Sequence, residues 1–299
     1  MTTLREYLDS TGCEEKLKDL IEVVSKQAIP IRKAFISNQE YVDSKNIYGE
    51  KQIALDKWSN EHLMKTFGES GLVKEAASEE EAEVVEFPDA EANYAVTIDP
   101  LDGSSLVQVN LAVGTIVGVH EDSVMQEGRN LKAAFYMLYG PLTVLGLTVR
   151  EGVHFFALNE EDEYVMTQKD VRIPEGRLYA SGALKKDWLP EHLRFIKYLE
   201  EEGYKLRYSG SFVADVHQYL KYGGVFSYPA YRGKETGKLR LLFEANPMGF
   251  IVSEAGGRIS NGKKNLLEIR AEKLDHRIPI YVGSKGIIEK MENEYDIEV

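Results

Sequence analysis

Two aspartates stand on either side of a Pro-Leu corner in the stretch TIDPLDGSSLVQVN, residues 97–110. Asp99 and Asp102 repel each other if they lie close together, unless a cation is bound between them. Hard cations such as Mg²⁺ prefer oxygen ligands, and the Leu101 carbonyl offers another one beside the two carboxylates. The corner therefore indicates a metal site. A plain surface turn is the alternative, because Asp, Pro and Gly are common turn residues.

The residues directly after the corner favour an anion instead of a cation. Gly103, Ser104 and Ser105 can turn their backbone N–H groups toward a phosphate, especially where they open a helix. The whole stretch therefore predicts a metal ion held by the two aspartates that also contacts a phosphate held by the Gly-Ser-Ser segment.

An acidic run, residues 75–86, precedes the predicted strand that ends at Asp99. A hairpin-like return would bring Glu79 and Glu80 beside the tip of that strand. Taken alone, the run is more typical of a solvated loop.

A third acidic position comes from KLRLLFEANPMGFIVSEAGG. Asn246-Pro247 has the form of a helix N-cap followed by proline at the first helical position, and Gly256 or Gly257 would end the helix. Glu244 would then lie just before a helix N-terminus, which favours an anionic side chain. A charge on an exposed face is the alternative.

The same half of the chain supplies cations and hydroxyls that could clamp a second phosphate and a sugar. Plain surface positions are the alternative for these residues, which are Arg207, Tyr208, Tyr228, Lys238 and Arg240.

Composition excludes several classes of protein. The formal net charge is −13, which argues against nucleic-acid binding and means that an anionic substrate needs divalent cations to approach. No apolar run is long enough to span a membrane and no export signal is visible, so we expect a cytoplasmic protein without a membrane partner. Cys13 is the only cysteine, which rules out an internal disulfide. Zinc-protease, serine-hydrolase and P-loop spacings are absent.

Periodicity predicts two kinds of element in the first half of the chain. Helical spacing covers residues 14–36, with an interruption at Pro30, and residues 51–67. Strands follow from about residue 93 to 158 with short connections, which favours an antiparallel or mixed sheet. The polar stretch 159–176 is the predicted boundary between two lobes, 1–170 and 171–299.

The second half alternates strands with helices, including helices at about 187–201 and 212–222, and is typical of an α/β lobe. The fold class is therefore α/β (α+β).

These motifs resemble a known family. DPLDGSS with EANPM and EAGG is similar to the lithium-sensitive, metal-dependent sugar phosphatases, and GSFVADVHQYLKYGGVFSYPA with GKLRLLFEANPM resembles class I fructose-1,6-bisphosphatase. The resemblance implies a layered αβαβα sandwich. It also implies a homotetramer built as a dimer of dimers, and two or three Mg²⁺ per subunit, with Mn²⁺ or Zn²⁺ as other possible ions.

The resemblance also implies roles for individual residues. The metal ligands are Glu79, Asp99, the Leu101 carbonyl, Asp102 and Glu244. Glu80 and Asp56 are the acidic pair that activates the attacking water, and Glu50 assists a further metal. The 1-phosphate binds to Gly103, Ser104 and Ser105. The sugar and its 6-phosphate contact Tyr208, Tyr228 and Lys238, while Arg207 reaches across a subunit interface.

The chain departs from the family pattern at three positions. Leu106 replaces an Asn after the DPLDGSS motif. Ser181 and Leu184 stand where the family has an Asn and a Tyr that contact the 6-phosphate.

The resemblance therefore implies Mg²⁺-dependent removal of the 1-phosphate of fructose 1,6-bisphosphate, as used in gluconeogenesis. Sedoheptulose-1,7-bisphosphatase or dual-specificity activity stays open, and an inositol-monophosphatase-like enzyme or an inactive regulatory homologue fits less well.

Overall fold

The computed structural model describes residues 1–38, 41–45 and 51–295, with side chains described for all of these except 41–45 and 51–53. The described residues of the first half include four helices: α1 (Leu4–Asp9), α2 (Glu15–Ser25), α3 (Ala28–Ala34) and α4 (Ala54–Ser70). The interruption predicted at Pro30 was wrong in position. The break falls at Lys26 and Gln27, and Pro30 lies in the first turn of α3, where a missing N–H breaks no intrahelical bond.

Ten strands belong to the described residues of the first half of the chain. They are β1 (Tyr41–Lys45), β2 (Lys51–Ile53), β3 (Val73–Ser78), β4 (Val85–Glu86), β5 (Tyr94–Asp102), β6 (Val113–Glu121), β7 (Ala133–Tyr139), β8 (Thr143–Thr148), β9 (Val153–Leu158) and β10 (Tyr164–Gln168). β1 and β2 pair antiparallel. The other eight form one sheet in the order β10-β9-β8-β7-β6-β5-β3-β4, which is antiparallel except for the parallel pair β3 and β5. The predicted mixed sheet is confirmed, and β10 lies inside the polar stretch 159–176 that was predicted as the boundary between the two lobes.

The second half contributes four helices and five strands. The helices are α5 (Pro190–Glu201), α6 (Phe212–Tyr222), α7 (Asn246–Glu254) and α8 (Lys285–Glu294). The strands are β11 (Leu178–Ser181), β12 (Lys205–Leu206), β13 (Val225–Tyr228), β14 (Arg258–Ser260) and β15 (Ile280–Gly283), in the order β12-β11-β13-β15-β14. The helix predicted at 212–222 is confirmed with the same bounds.

Burial arranges these elements in five layers. One apolar cluster joins α1–α4 to one face of the large sheet. A second joins the other face of that sheet to α6 and α7 and continues into the small sheet. A third packs α5 and α8 on the far face of the small sheet. The order is helix, sheet, helix, sheet, helix, which confirms the αβαβα sandwich. Within the described residues, no helix is both long and apolar enough to cross a membrane.

Candidate active site

A cavity of about 450 Å³ gathers most of the residues that the sequence pointed to. Its wall comes from both halves of the chain. The predicted site residues on it are Asp56, Glu79, Glu80, Asp99, Leu101, Asp102, Gly103, Ser104, Ser105, Tyr208, Tyr228, Lys238 and Glu244. Arg207 is not on this wall, and Glu50 lies outside the described residues.

Glu79 reaches the site through a parallel strand pair. It follows β3 directly, and its N–H donates to the Ile98 carbonyl of β5 at 3.1 Å. The hairpin-like return predicted from the sequence was wrong, because β3 and β5 run in the same direction. The predicted proximity of Glu79 to the end of β5 was right, because parallel strands end at the same edge of a sheet and bring the residues that follow them together.

Asp99 and Asp102 lie in a bulged strand end, not on either side of a tight turn. β5 continues to Asp102, and its pairing with β6 shifts register between the two aspartates. The Leu101 N–H donates to Asp99 Oδ1 at 2.9 Å, and the Thr115 hydroxyl donates to the Pro100 carbonyl at 2.9 Å. A bulge re-aims side chains, so both carboxylates reach the cavity wall from one strand.

Glu244 lies inside a helix, which corrects the N-cap predicted at Asn246. A π-helical turn, Leu241–Ala245, runs directly into α7, so Asn246 is already helical. The buried Glu244 carboxylate accepts a hydrogen bond from the Arg240 N–H at 2.6 Å, at the start of this turn. An anion is favoured there because the first N–H groups of a helix have no intrahelical acceptor.

Three carboxylates meet in what we call the carboxylate cluster: Glu79, Asp99 and Glu244. Each offers an oxygen within 4.8 Å of the other two. Burial, followed by repulsion from Glu79, raises the pKa of Asp99 and of Glu244 well above the usual range. Such a cluster favours a cation, because a bound positive charge removes the repulsion between its members.

Asp102 lines the same cavity and is held from the second half of the chain. Its Oδ2 accepts the Ser211 hydroxyl at 2.6 Å and the Val213 N–H at 2.8 Å. Burial raises the pKa of Asp102, and these two hydrogen bonds oppose the rise.

Arg240 was interpreted as part of a phosphate clamp, and the structure places it on the wall of the same cavity but in contact with the carboxylate cluster. Its side chain is 3% exposed and forms an ion pair with Glu79 of the carboxylate cluster. The sequence did contain a signal: Arg240 stands in the apolar run between Leu239 and Leu241. A charge in a buried run needs a partner of opposite charge.

The predicted phosphate segment opens a short helix. Gly103 has φ 78°, a left-handed conformation that suits glycine, and a 3-10 helix, Ser104–Val109, follows it. A side chain at position 103 would meet the Ser211 Cβ at 2.7 Å. Glycine thus allows the segment to pass close to the N-terminus of α6.

The same cavity wall also carries hydroxyls and a cation. Tyr208, Tyr228 and Lys238 line it, and the Lys238 Nζ lies 5.8 Å from the centre of the Tyr228 ring. Gly182 lies against that ring, where a Cβ would overlap it. Arg207 is exposed and its guanidinium lies 5.9 Å from the Tyr222 ring centre.

The two departures from the family pattern in YASGALKKDW do not reach the cavity wall. The Ser181 hydroxyl pairs with His192 Nε2 at 2.8 Å, and His192 is buried. Leu184 is 62% exposed. Neither side chain therefore replaces a polar contact inside the cavity. Leu106, the third departure, packs near Gly210.

Two further acidic residues, for which the family resemblance implies the activation of water, line the same cavity. Asp56 is buried in the first turn of α4, and Glu80 follows Glu79 with its N–H donating to the Ser78 hydroxyl at 3.2 Å. Both lie on the cavity wall.

Five alternating layers around an acidic cleft are the architecture of the sugar phosphatases. The chain belongs to the fructose-1,6-bisphosphatase family. Residues 7–169 match the family described as "Fructose-1-6-bisphosphatase, N-terminal domain", and residues 173–296 match "Fructose-1-6-bisphosphatase, C-terminal domain".

Curated relatives extend over nearly the whole chain. A protein of Methanospirillum hungatei named fructose-1,6-bisphosphatase class 1 is 52% identical over 297 residues, which are 99% of this chain and 96% of the relative. A protein of the same name from Methanocorpusculum labreanum is 52% identical over 98% of this chain and 91% of its own. The crystal structure of Leishmania major fructose-1,6-bisphosphatase in holo form matches with a TM-score of 0.91 and 31% identity, covering 97% of each chain.

Proposed function

We propose that this chain hydrolyses the 1-phosphate of fructose 1,6-bisphosphate and releases fructose 6-phosphate and inorganic phosphate, with Mg²⁺ as its cofactor. The observation that carries the proposal is the composition of one cavity wall. Carboxylates suited to cations line one part of it, and Lys238 with two tyrosines lines another. A substrate with a phosphate at each end of a sugar fits both parts.

The residues present fit a hard divalent cation. The carboxylate cluster offers oxygen ligands only, and burial raises the pKa of Asp99 and of Glu244, which a bound cation would offset. Oxygen donors suit Mg²⁺ or Mn²⁺ better than Zn²⁺, which usually takes nitrogen or sulfur ligands as well. We assign the ligand role to Glu79, Asp99, Asp102, Glu244 and the Leu101 carbonyl.

When bound, divalent cations neutralise the phosphate and activate a water molecule for attack on phosphorus. Glu80 and Asp56 are the groups positioned to accept the proton of that water, since both line the cavity beside the cluster. The N–H groups of Ser104 and Ser105 stabilise the charge that develops on the phosphoryl oxygens.

The rest of the wall binds and orients the sugar. Lys238, Tyr208 and Tyr228 would hold the 6-phosphate, which fixes the distance from there to the reacting 1-phosphate. Arg207 is exposed and away from the wall of its own chain, which supports a role across a subunit interface in a homotetramer built from dimers. The lobes 1–170 and 171–299 and a cytoplasmic location stay predictions.

The test is phosphate release from fructose 1,6-bisphosphate with and without Mg²⁺, with sedoheptulose 1,7-bisphosphate and a sugar monophosphate as comparators. We expect metal-dependent turnover that is confined to the bisphosphates, with kcat/KM values ranking the two sugars. The variant Asp102→Asn should lose far more kcat than Tyr228→Phe. Near-normal turnover of the Asp102 variant, or activity on the monophosphate alone, would refute the assignment.

A further inference from the structure

One carboxylate that the first half of the chain supplies to the metal site is anchored by the second half. Asp102 ends β5, and the hydrogen bonds to its Oδ2 come from Ser211 and Val213 at the beginning of α6. Both bonds end on the same oxygen, so Oδ1 remains as the ligand atom of this carboxylate. The orientation of Oδ1 is therefore set by α6.

The proton of the Ser211 hydroxyl has one acceptor among the described residues, the Asp102 carboxylate. The hydroxyl oxygen accepts a hydrogen bond from the Ala214 N–H at 3.4 Å, as the N-cap of α6, so its single proton is left for Asp102. Ser211 has no exposed surface, and its hydroxyl lies 2.6 Å from Asp102 Oδ2. A short bond from a hydroxyl to a carboxylate is among the stronger hydrogen bonds in proteins.

Close packing between Gly103 and Ser211 also holds the hydrogen bond between Ser211 and Asp102 in place. Gly103 follows Asp102 directly and passes so near Ser211 that an added Cβ would lie 2.7 Å from the Ser211 Cβ. The chain thus has no room to move Ser211 toward β5 and depends on the absence of a side chain at 103 for the contact.

We propose that Ser211 is a positioning residue: its hydroxyl orients the Asp102 carboxylate for the cations of the active site. This inference rests on the proposed function, because it assigns Ser211 a role only through the metal ligation of Asp102. Groups that orient a metal ligand without touching the metal typically change metal affinity or activity by about 10-fold to 100-fold when they are removed.

The decisive variants are Ser211→Ala and Ser211→Gly. Both remove the hydroxyl, but glycine preserves most of the helix-capping preference while alanine does not, so a loss shared by both variants is not a capping effect. Ser209→Ala is the matched control. Its hydroxyl also bonds the backbone of this loop, donating to the Ser211 carbonyl at 3.1 Å, but makes no hydrogen bond to Asp102.

Two readouts are needed for each protein: the Mg²⁺ concentration that gives half-maximal turnover of fructose 1,6-bisphosphate, and Mn²⁺ binding without substrate by titration calorimetry. We expect both Ser211 variants to need about tenfold more Mg²⁺ and to bind Mn²⁺ more weakly, with KM for the sugar changed much less. Ser209→Ala should match the wild type in both measurements.

A double-mutant cycle then tests whether Ser211 acts through Asp102. In an Asp102→Asn background, Ser211→Ala should have little further effect on Mn²⁺ affinity, since the group that it positions has already been changed. Full additivity, or Ser211 variants that require no more Mg²⁺ than Ser209→Ala does, would overturn the inference while leaving the proposed function intact. A wild-type protein without metal-dependent turnover would overturn both.

Discussion

Arg240 compensates negative charge at the carboxylate cluster, and the variant Arg240→Met measures by how much. The described part of the cavity wall carries six carboxylates, those of Asp56, Glu79, Glu80, Asp99, Asp102 and Glu244, and two cations, Lys238 and Arg240. Arg240 is the one in an ion pair with the cluster, and it is almost fully buried. Methionine keeps much of its volume but removes the charge.

The expected loss follows from burial. Removing one partner of a buried ion pair leaves the other charge uncompensated, which typically costs about 3 to 5 kcal/mol. For a protein of this size that corresponds to a fall in Tm of roughly 6 to 10 °C. The loss should apply in full to the metal-free protein. With saturating Mg²⁺ it should shrink to less than half, because bound cations supply the missing positive charge.

The assay is urea unfolding of wild type and Arg240→Met, each with EDTA and with Mg²⁺. Arg258→Met is the matched control, because Arg258 pairs with Glu292 at 2.9 Å on residues that do not line the cavity. That control should lose the same stability in both buffers. Equal losses for Arg240→Met with and without Mg²⁺ would refute the reasoning, since Arg240 would then act through packing and not through charge.

Three further predictions follow from burial and contact. Burial lowers the pKa of His120 from 6.5 to about 4, and neither ring nitrogen has a hydrogen-bond partner among the described residues. Since the unfolded chain binds this proton more readily, the protein should lose about 3 kcal/mol of stability as pH falls from 6.5 to about 4. Urea unfolding of His120→Leu over that range should show a shallower loss. Gly182→Ala should displace the Tyr228 ring and raise KM for the bisphosphate about tenfold in steady-state kinetics, whereas Gly140→Ala, whose added Cβ meets only ordinary contacts, should not. Because burial raises the pKa of Asp99 and of Glu244 well above the usual range, the metal-free protein should lose stability as pH rises above the ordinary carboxyl pKa of about 4, so the Tm difference between Mg²⁺ and EDTA should widen as pH rises.

The sequence predicted elements best where one periodicity runs through a whole element. The strands from β5 to β9 and the helix α6 were found because their apolar patterns are long and are bounded by turn residues. Helix boundaries were harder. At Asn246 the local signal for an N-cap was present, but the chain was already in a π-helical turn that begins at Leu241, five residues earlier.

Contacts at the site between residues far apart in the sequence could not be predicted from local sequence patterns. Nothing near Glu79 distinguishes a hairpin from a parallel pair, because that choice depends on how the whole sheet is ordered. The same holds for the contact between Asp102 and Ser211, which are 109 positions apart. Residue types predicted the metal ligands, but only the packing of the two halves could show which groups orient Asp102.

The raised pKa values of Asp99 and Glu244 bear on which group limits activity at low pH. A cation can bind the cluster at neutral pH only by displacing any protons that these buried carboxyls hold, so metal affinity must rise with pH. At limiting Mg²⁺ the acid side of the pH–rate profile therefore reports deprotonation of the cluster. At saturating Mg²⁺ that contribution falls away, and under the proposed function the profile that remains belongs to the groups that accept the water's proton, for which we propose Glu80 and Asp56. Comparing the two profiles thus separates the groups that bind the metal from those that move a proton.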